Sequence, residues 1–596
     1  MQIDFSATLR MPKIDIAHKT RELKQYISQF ETATFVINYY YALNTHTRTN
    51  SELLTLYSPL RQTLYLLSLF LSTEPSENKI FDLVTGDSKK IEKLLNEIED
   101  GYRYNYTEDL SSNQLNEELI KNHLMVSNQT FLNYFVNGEL NYIEQGVDKI
   151  EKTFTQFNSH ILEKTGLYLQ DYLDFYEITE FIDQRKLEQF LEKAHTPETH
   201  KIINDKPNKN ISKDEFARLF EIIDNALNTL PIPIDLLYEF MPKEKVDKLL
   251  KFFSCHRYSL ESDLSFIDEC LLMQKPIVWI SDKFVIMPCQ KQLLQAIYNF
   301  LFDLSKSYKN NERKIYEKRE LVHEEKTFDL FNDFFSGEAK IFKNYFVDNK
   351  EKDLLVLYKN VALIIECKAN KYREPLADPE KGFSRIKRDF QHSIQKGYDQ
   401  AIKVERLFKR TPSVEIKSNK GKLIEIINTN KYHFIFSIIV TTERFGQIQC
   451  DLGLLLKVNN DEKYPWSVGI EDLETFLITL KRKDNFYGEL ISYLTSREKL
   501  HKRLICFDEL ELASYFLMQK DIFIRNCNLN NSLFYSSPDV HLLFDRLYQT
   551  GLGFKNERNI ERKVERLTGF EQAFHKALKL KTPEIIINYK KQQKSS

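Results

Sequence analysis

Cysteine is scarce and unpatterned in this 596-residue chain: the seven stand singly, with no Cys-x-x-Cys pair and no cysteine–histidine spacing suited to zinc. An odd count without a framework excludes a disulfide scaffold and fits reduced thiols in a cytosolic compartment. Long apolar runs are missing too. The longest near the N-terminus, Leu64 to Leu71 broken by Ser68, is far short of the ~20 residues a spanning helix needs, so no membrane partner is expected. Met1-Gln2-Ile3-Asp4-Phe5 offers neither a basic n-region nor an apolar h-region, so no signal peptide is expected and the expected location is the cytoplasm. Neither sign of charge dominates: 84 Lys and Arg face 86 Asp and Glu, for a net charge of −2. No global polycation announces a nucleic-acid partner. There is no Walker phosphate loop, internal repeat or zinc finger, so any ATPase would be a separate protein.

What is present is a folding composition, 42% hydrophobic and 29% charged, long enough for several domains with cores of their own. Residues 1–200 read as a helical N-terminal domain. Ile143, Val147, Ile150, Phe154, Phe157 and Ile161 form one face of a long amphipathic helix, and Tyr39-Tyr40-Tyr41 and Tyr65 read as core aromatics. The polar stretch His195–Lys213 reads as a linker, ended by a capping box at Ser212-Lys213-Asp214-Glu215 that starts a helix through Phe216 and Phe220. Residues 201–310 form a mixed connecting module, with a hairpin over 276–287 about Ser281-Asp282 and a helix through Leu293, Ile297 and Leu301. Residues 311–485 read as an α/β domain, and 486–596 as a helical C-terminal region with a disordered tail.

The α/β region is organised around Lys352–Lys368. Two β-branched and aliphatic runs, 354–358 and 361–365, flank Lys359-Asn360, and Asn at the second loop position tolerates positive φ, so the stretch reads as a tight hairpin. With that loop, Tyr358 pairs with Val361 and, counting outward, Asp353 stands opposite Glu366. Cross-strand Cβ atoms lie about 4.5–5.5 Å apart, where like charges repel. Alternation puts Lys368 on the face of Glu366 and turns Cys367 inward. Two carboxylates this close are relieved by sharing a proton or by a hard divalent cation.

Asp353 followed by Glu366-Cys367-Lys368 resembles the PD-(D/E)xK nuclease superfamily, the restriction-endonuclease fold, with Lys352 where that family carries its leading Pro. The resemblance implies that Asp353, Glu366 and the Cys367 backbone carbonyl bind Mg²⁺, for which Mn²⁺ substitutes, and that Lys368 activates water and steadies charge at phosphorus. It also implies a glutamate from the preceding helix, expected over Arg319–Phe335 with Phe328, Phe331 and Phe335 inward. Glu324 is the candidate and Glu325 the neighbouring alternative. His323-Glu324-Glu325-Lys326-Thr327 lacks the second histidine of a metalloprotease helix.

Ile341–Val347 is the expected strand before the hairpin, turning at Asp348-Asn349-Lys350. A loop through Pro375 and Pro379 leads to a helix over 384–408, with Ile386, Phe390, Ile394, Ala401 and Phe408 inward and Arg385, Arg388 and Lys396 at its margins. Gln395 or Gln400 could position water or backbone. From Glu366 to Lys422, fifteen Lys or Arg outnumber eight Asp or Glu, an excess that reads equally as a solvated helix face or as a phosphate-contacting surface. Tyr432–Val440 reads as a strand buried on both faces, and a helix carries Leu473, Phe476, Leu477 and Leu480.

The expected fold is therefore multidomain α plus α/β: a restriction-endonuclease-like mixed sheet with flanking helices, preceded and followed by mainly helical regions. The expected function is metal-dependent phosphodiester hydrolysis, on DNA ahead of RNA, as an endonuclease in restriction or antiviral defence. Its helical flanks permit a homo-oligomer. The alternative is a noncatalytic nucleic-acid-binding or assembly scaffold that keeps the fold.

Overall fold

In a computed structural model the described residues are 14–49, 55–75, 77–83, 86–104, 142–199, 213–258, 270–370, 379–506, 508–529, 533–535, 542–555, 557 and 578–581. They fall into two compact units, one up to Ile315 and the other from Tyr316 onward. The expected boundary near 310 is close to this division. Those at 200 and 485 fall inside a unit. Helix Lys213–Leu227 packs on Leu169–Ala194 across the first of them, and the Gln290 amide donates to Thr179 Oγ1 at 3.1 Å. Across the second, Trp466 Nε1 donates to Glu509 Oε1 at 2.7 Å. Among the described residues, no helix is long and apolar enough to cross a membrane.

The first unit is helical around a four-stranded sheet that contains the expected hairpin, Ile277–Ser281 with Phe284–Ile286. Tyr39, Tyr40 and Tyr65 are buried as core aromatics. The helix expected over 143–161 is instead Ile143–Phe154 and Asn158–Thr165 joined by a 3₁₀ turn, Thr155–Phe157, yet Val147, Ile150, Phe154, Phe157 and Ile161 all stay buried. The helix after the linker starts at Lys213. Ser212, its expected cap, lies outside the described residues, as do the side chains of Phe216 and Phe220 and the C-terminal tail.

In the second unit, helix α1 (Arg313–Phe334, beginning three residues before the boundary) precedes strands β1 (Lys340–Val347), β2 (Lys350–Tyr358) and β3 (Val361–Lys368). Asp348 and Asn349 both have positive φ, +50° and +59°, the signature of a type I′ hairpin loop. Pro379 is not in the loop before the next helix but opens it, at the position where a missing N–H costs least. That helix is α2 (Pro379–Phe390), continued through a π-helical turn, Gln391–Gln395, into α3 (Lys396–Arg410). Strands β4 (Ser413–Lys417), β5 (Leu423–Asn428), β6 (Phe434–Thr441) and β7 (Trp466–Gly469) follow, then helix α4 (Ile470–Lys481). Further helices continue from Phe486, with a two-stranded parallel pairing of Leu504–Ile505 and Phe534–Tyr535.

The strands form one mixed sheet in the order β7-β6-β3-β2-β1-β4-β5, with β2 at its centre, β3 beside it and β6 parallel to both β3 and β7. The β4–β5 hairpin was not expected, and Glu415-Ile416-Lys417, a stray match to Glu-x-Lys, lies on β4. Glu415 there faces Ile426, so no second carboxylate opposes it. β6 is buried only from Ser437 onward; Phe434 is exposed.

One apolar stripe was expected along 386–408, but the π turn divides it. Ala401, Val404 and Phe408 pack on the sheet with Leu355, Leu357, Ile364 and Ile439. Ile386, Phe390 and Ile394, with Tyr398 and Ile402, pack instead against Phe445, Ile448 and Leu452. The i→i+5 turn inserts a residue and rotates the following face.

Candidate active site

β3 is buried along its length, and its apolar run ends in Glu366, Cys367 and Lys368 beside the end of its parallel neighbour, where Lys368 pairs with Thr441. Groups that leave a sheet at the carboxyl ends of parallel strands face a crevice rather than the core. The Thr442 N–H donates to the Lys368 carbonyl at 3.1 Å, and Arg319 of α1 donates to the Ala369 carbonyl, so this strand end is held from two sides.

The hairpin keeps the register its loop dictates, from Tyr358 with Val361 to Leu354 with Ile365. Positive φ falls on Lys359 (+48°) rather than Asn360. Asn360 is anchored instead: its carbonyl accepts the His433 and Phe434 N–H groups, and its side chain accepts the Tyr487 hydroxyl.

Asp353 pairs with neither neighbouring strand: the β1 ladder runs Lys343 with Leu354 and Tyr345 with Lys352, skipping the position between. There Asn344 has φ +46°, and Phe342 and Tyr345, three residues apart, enter the same core. The kink breaks strict alternation. It frees Asp353 and turns Lys352 toward the side of Glu366.

Asp353 Oδ2 accepts the Cys367 N–H at 2.6 Å. Lys368 Nζ lies 3.0 Å from Glu366 Oε2, 3.1 Å from the Cys367 carbonyl and 3.4 Å from Asp353 Oδ2. Three ammonium protons therefore face three oxygens, the same three expected to hold Mg²⁺. Glu366 has no exposed surface, and its Oε1 is 3.9 Å from Lys352 Nζ, which donates to the Gln400 carbonyl at 2.8 Å. Oε1 itself has no hydrogen-bond partner.

Burial, reinforced by the Asp353 carboxylate, pushes Glu366 up to about 7 against the pull of Lys368 and Lys352. Burial alone would depress Lys368, but Asp353 and Glu366 together hold its ammonium above the ordinary value. Burial lowers Lys352. The Cys367 thiol faces inward and burial raises it well above the thiol range, so it is no nucleophile.

On α1, Glu324 is half-buried and is pushed up to about 7 by burial and then by Asp353, Glu320 and Glu351; Glu325 is exposed. Of the two glutamates, Glu324 is the half-buried one and the one that feels the Asp353 charge. Phe331, Phe334 and Phe335 form the fully buried side of α1, with Phe328 half-buried under the Lys343 ammonium. His323 is buried, sits 3.0 Å from the Val440 carbonyl through Nε2, and is lowered by burial to about 4.

Gln395 does not join this group. Its amide donates to Asp399 Oδ1 at 2.9 Å and to the Lys457 carbonyl, and its Oε1 accepts the Lys457 N–H, so it clamps backbone. The helix side of the site is made by Gly397. A Cβ there would lie 2.9 Å from Ile439 Cγ2 and 3.2 Å from Lys368 Cε. Neither Gly397 nor Lys352 carried a site signal in the sequence, because the first matters only through the π turn and the second only through the kink.

Among the described residues, no group of three or more His, Cys, Asp and Glu side chains is arranged to hold a metal. The site offers two carboxylates and one carbonyl converging on an ammonium. Hard oxygen donors of this kind suit Mg²⁺, which commonly takes one or two carboxylates and keeps several waters. No family model, curated protein or solved structure matches the chain.

Two measurements follow from this geometry. Gly397→Ala should lower stability by up to about 2 kcal/mol in urea denaturation, since overpacking of about 1–3 kcal/mol exceeds the ~1 kcal/mol gained in helix propensity. The second concerns pH. Folded Glu324 and Glu366, at about 7, keep protons that the unfolded chain loses near 4.5, so in EDTA their contribution to stability falls as pH rises through that interval. His323, depressed to about 4, acts oppositely but is common to parent and variant. The stability of Glu324→Gln/Glu366→Gln minus that of the parent should therefore climb from pH 4.5 to 7; a flat difference would place the protons elsewhere.

Proposed function

We propose that this protein is a divalent-metal-dependent phosphodiesterase acting on nucleic acid, a DNA endonuclease of the PD-(D/E)xK class using Mg²⁺ or Mn²⁺. The observation that carries this reading is the convergence of Asp353, Glu366 and the Cys367 carbonyl about Lys368 at the carboxyl end of a central strand. The mixed sheet with helices on it, and helices before and after, is the setting such a site requires.

Asp353, Glu366 and the Cys367 carbonyl would hold the cation, which supplies Lewis-acid polarisation of the phosphate and an acidified water. Glu366 presents one oxygen to this point while Lys352 stands behind the other, which restricts the carboxylate's orientation. Lys368 places a positive charge where charge develops on the phosphoryl oxygens. Glu324, carrying a proton near neutral pH, is placed to exchange it at the Asp353 side of the site.

The substrate backbone has a track of its own. Arg388, His392 and Lys396 are exposed at four-residue steps along the helix that reaches Gly397. They offer phosphate contacts that would position a nucleic-acid backbone without reading its sequence. The helical regions would restrain or assemble the cutting unit.

The test is cleavage of circular and linear DNA, and of matched RNA, by the full-length protein in Mg²⁺, Mn²⁺ and EDTA. The parent should nick or cut circles only with metal, Asp353→Asn and Glu366→Gln should not cut, and Lys368→Ala should fall about 10²–10³-fold. Arg388→Ala/Lys396→Ala should keep metal dependence but flatten the slope of log affinity against log salt by roughly 1.8, at ~0.9 per lost phosphate contact. DNA binding without cutting under all conditions would favour the scaffold alternative.

A further inference from the structure

Lys368 and the cation invoked above have been assigned the same oxygens. The ammonium stands 3.0, 3.1 and 3.4 Å from Glu366 Oε2, the Cys367 carbonyl and Asp353 Oδ2, all of its protons facing acceptors. A Mg²⁺ ion needs its oxygens at about 2.0–2.1 Å. The three oxygens can close on a metal only if the ammonium leaves their centre.

The site is built for such an exchange. Glu366 is fully buried and does not depend on Lys368 alone for a counter-charge, because Lys352 stands 3.9 Å from its second oxygen and is pinned on the Gln400 carbonyl. The stem of Lys368 lies against the bare face of Gly397, with Cε where a side chain would otherwise intrude. Its side chain keeps 11% exposure against 4% for Lys352. Of the two lysines, Lys368 is therefore the nearer to solvent, and Lys352 the more deeply held.

We propose that the Lys368 ammonium and the divalent cation share one position: in the metal-free protein the lysine fills the metal site, and metal loading ejects its head to the mouth, where it meets the substrate phosphate. The inference rests on the nuclease reading for the identity of the cation. It goes beyond that reading by making Lys368 a competitor of the metal as well as a catalytic residue. Premature loading is then opposed by the chain's own charge.

Exchange is read without any turnover. The full-length protein is acylated with an N-hydroxysuccinimide ester in EDTA and in Mn²⁺, modification of Lys368 and Lys352 is quantified by peptide mass spectrometry, and Mn²⁺ binding is measured by calorimetry. Lys368 should react slowly in EDTA and several times faster in Mn²⁺. Lys352 should stay slow in both, and Asp353→Asn should show no Mn²⁺-dependent rise. Lys368→Met should bind Mn²⁺ more tightly than the parent by about 5- to 150-fold, the usual range for two coupled occupancies. Mn²⁺ bound by the parent with Lys368 still protected, or an unchanged affinity in Lys368→Met, would overturn the exchange and leave the nuclease reading standing. No Asp353-dependent Mn²⁺ binding by the parent would overturn both.

Discussion

A carboxylate with no exposed surface at the end of an inner strand, β3, is the constraint around which the second unit is arranged. An unpaired charge there would be heavily penalised. Glu366 is accommodated by one ammonium at each oxygen, Lys368 in front and Lys352 behind. Each lysine in turn needs its own acceptors: Asp353 and the Cys367 carbonyl for the first, the Gln400 carbonyl of α3 for the second. A network with this many obligations tolerates few packings, and it ties β2, β3 and α3 to one another in a single geometry.

Two departures from regular backbone serve it. At Asp353 the β2 strand drops out of both ladders opposite a left-handed Asn344, which swings Lys352 to the side of Glu366 and leaves the Asp353 carboxylate free to reach the Cys367 N–H. At Gln391–Gln395 the helix takes a π turn, and the face that follows brings Gly397 onto Lys368. Irregular backbone of this kind persists only where surrounding packing enforces it, and it concentrates where side chains must be aimed. Here both irregularities border the same cluster.

Much of this was legible in local pattern. The two-residue loop between apolar runs set the hairpin register from Tyr358 with Val361 to Leu354 with Ile365, but the expected pairing of Asp353 with Glu366 lies past the end of that ladder, and Asp353 reaches the Cys367 N–H instead. The i, i+4 spacing that put Glu324 on the inward side of α1 also left Glu325 exposed. The β4–β5 hairpin escaped because Ser413–Asn428 carries exposed apolar residues beside charges, with Ile424 and Ile426 facing solvent, so its alternation does not report burial. Gln395 was misplaced because helical spacing alone does not register a π turn, and its actual partner, the Lys457 backbone, is 62 residues away.

The sequence by itself determined what short-range physics governs: the strands of the hairpin and their register, the helices on either side, and which acidic and basic residues stand close along the chain. Tertiary structure decided which of those charges share one point in space. Lys352 became a partner of Glu366 through a kink that requires β1, and Lys368 became the centre of three oxygens because the start of β2 lies beside the end of β3. Gly397 became part of the site because α3 lies against both Ile439 and Lys368. Spacing along a strand or helix fixes direction within that element, whereas convergence depends on how separate elements pack, and no local pattern encodes it.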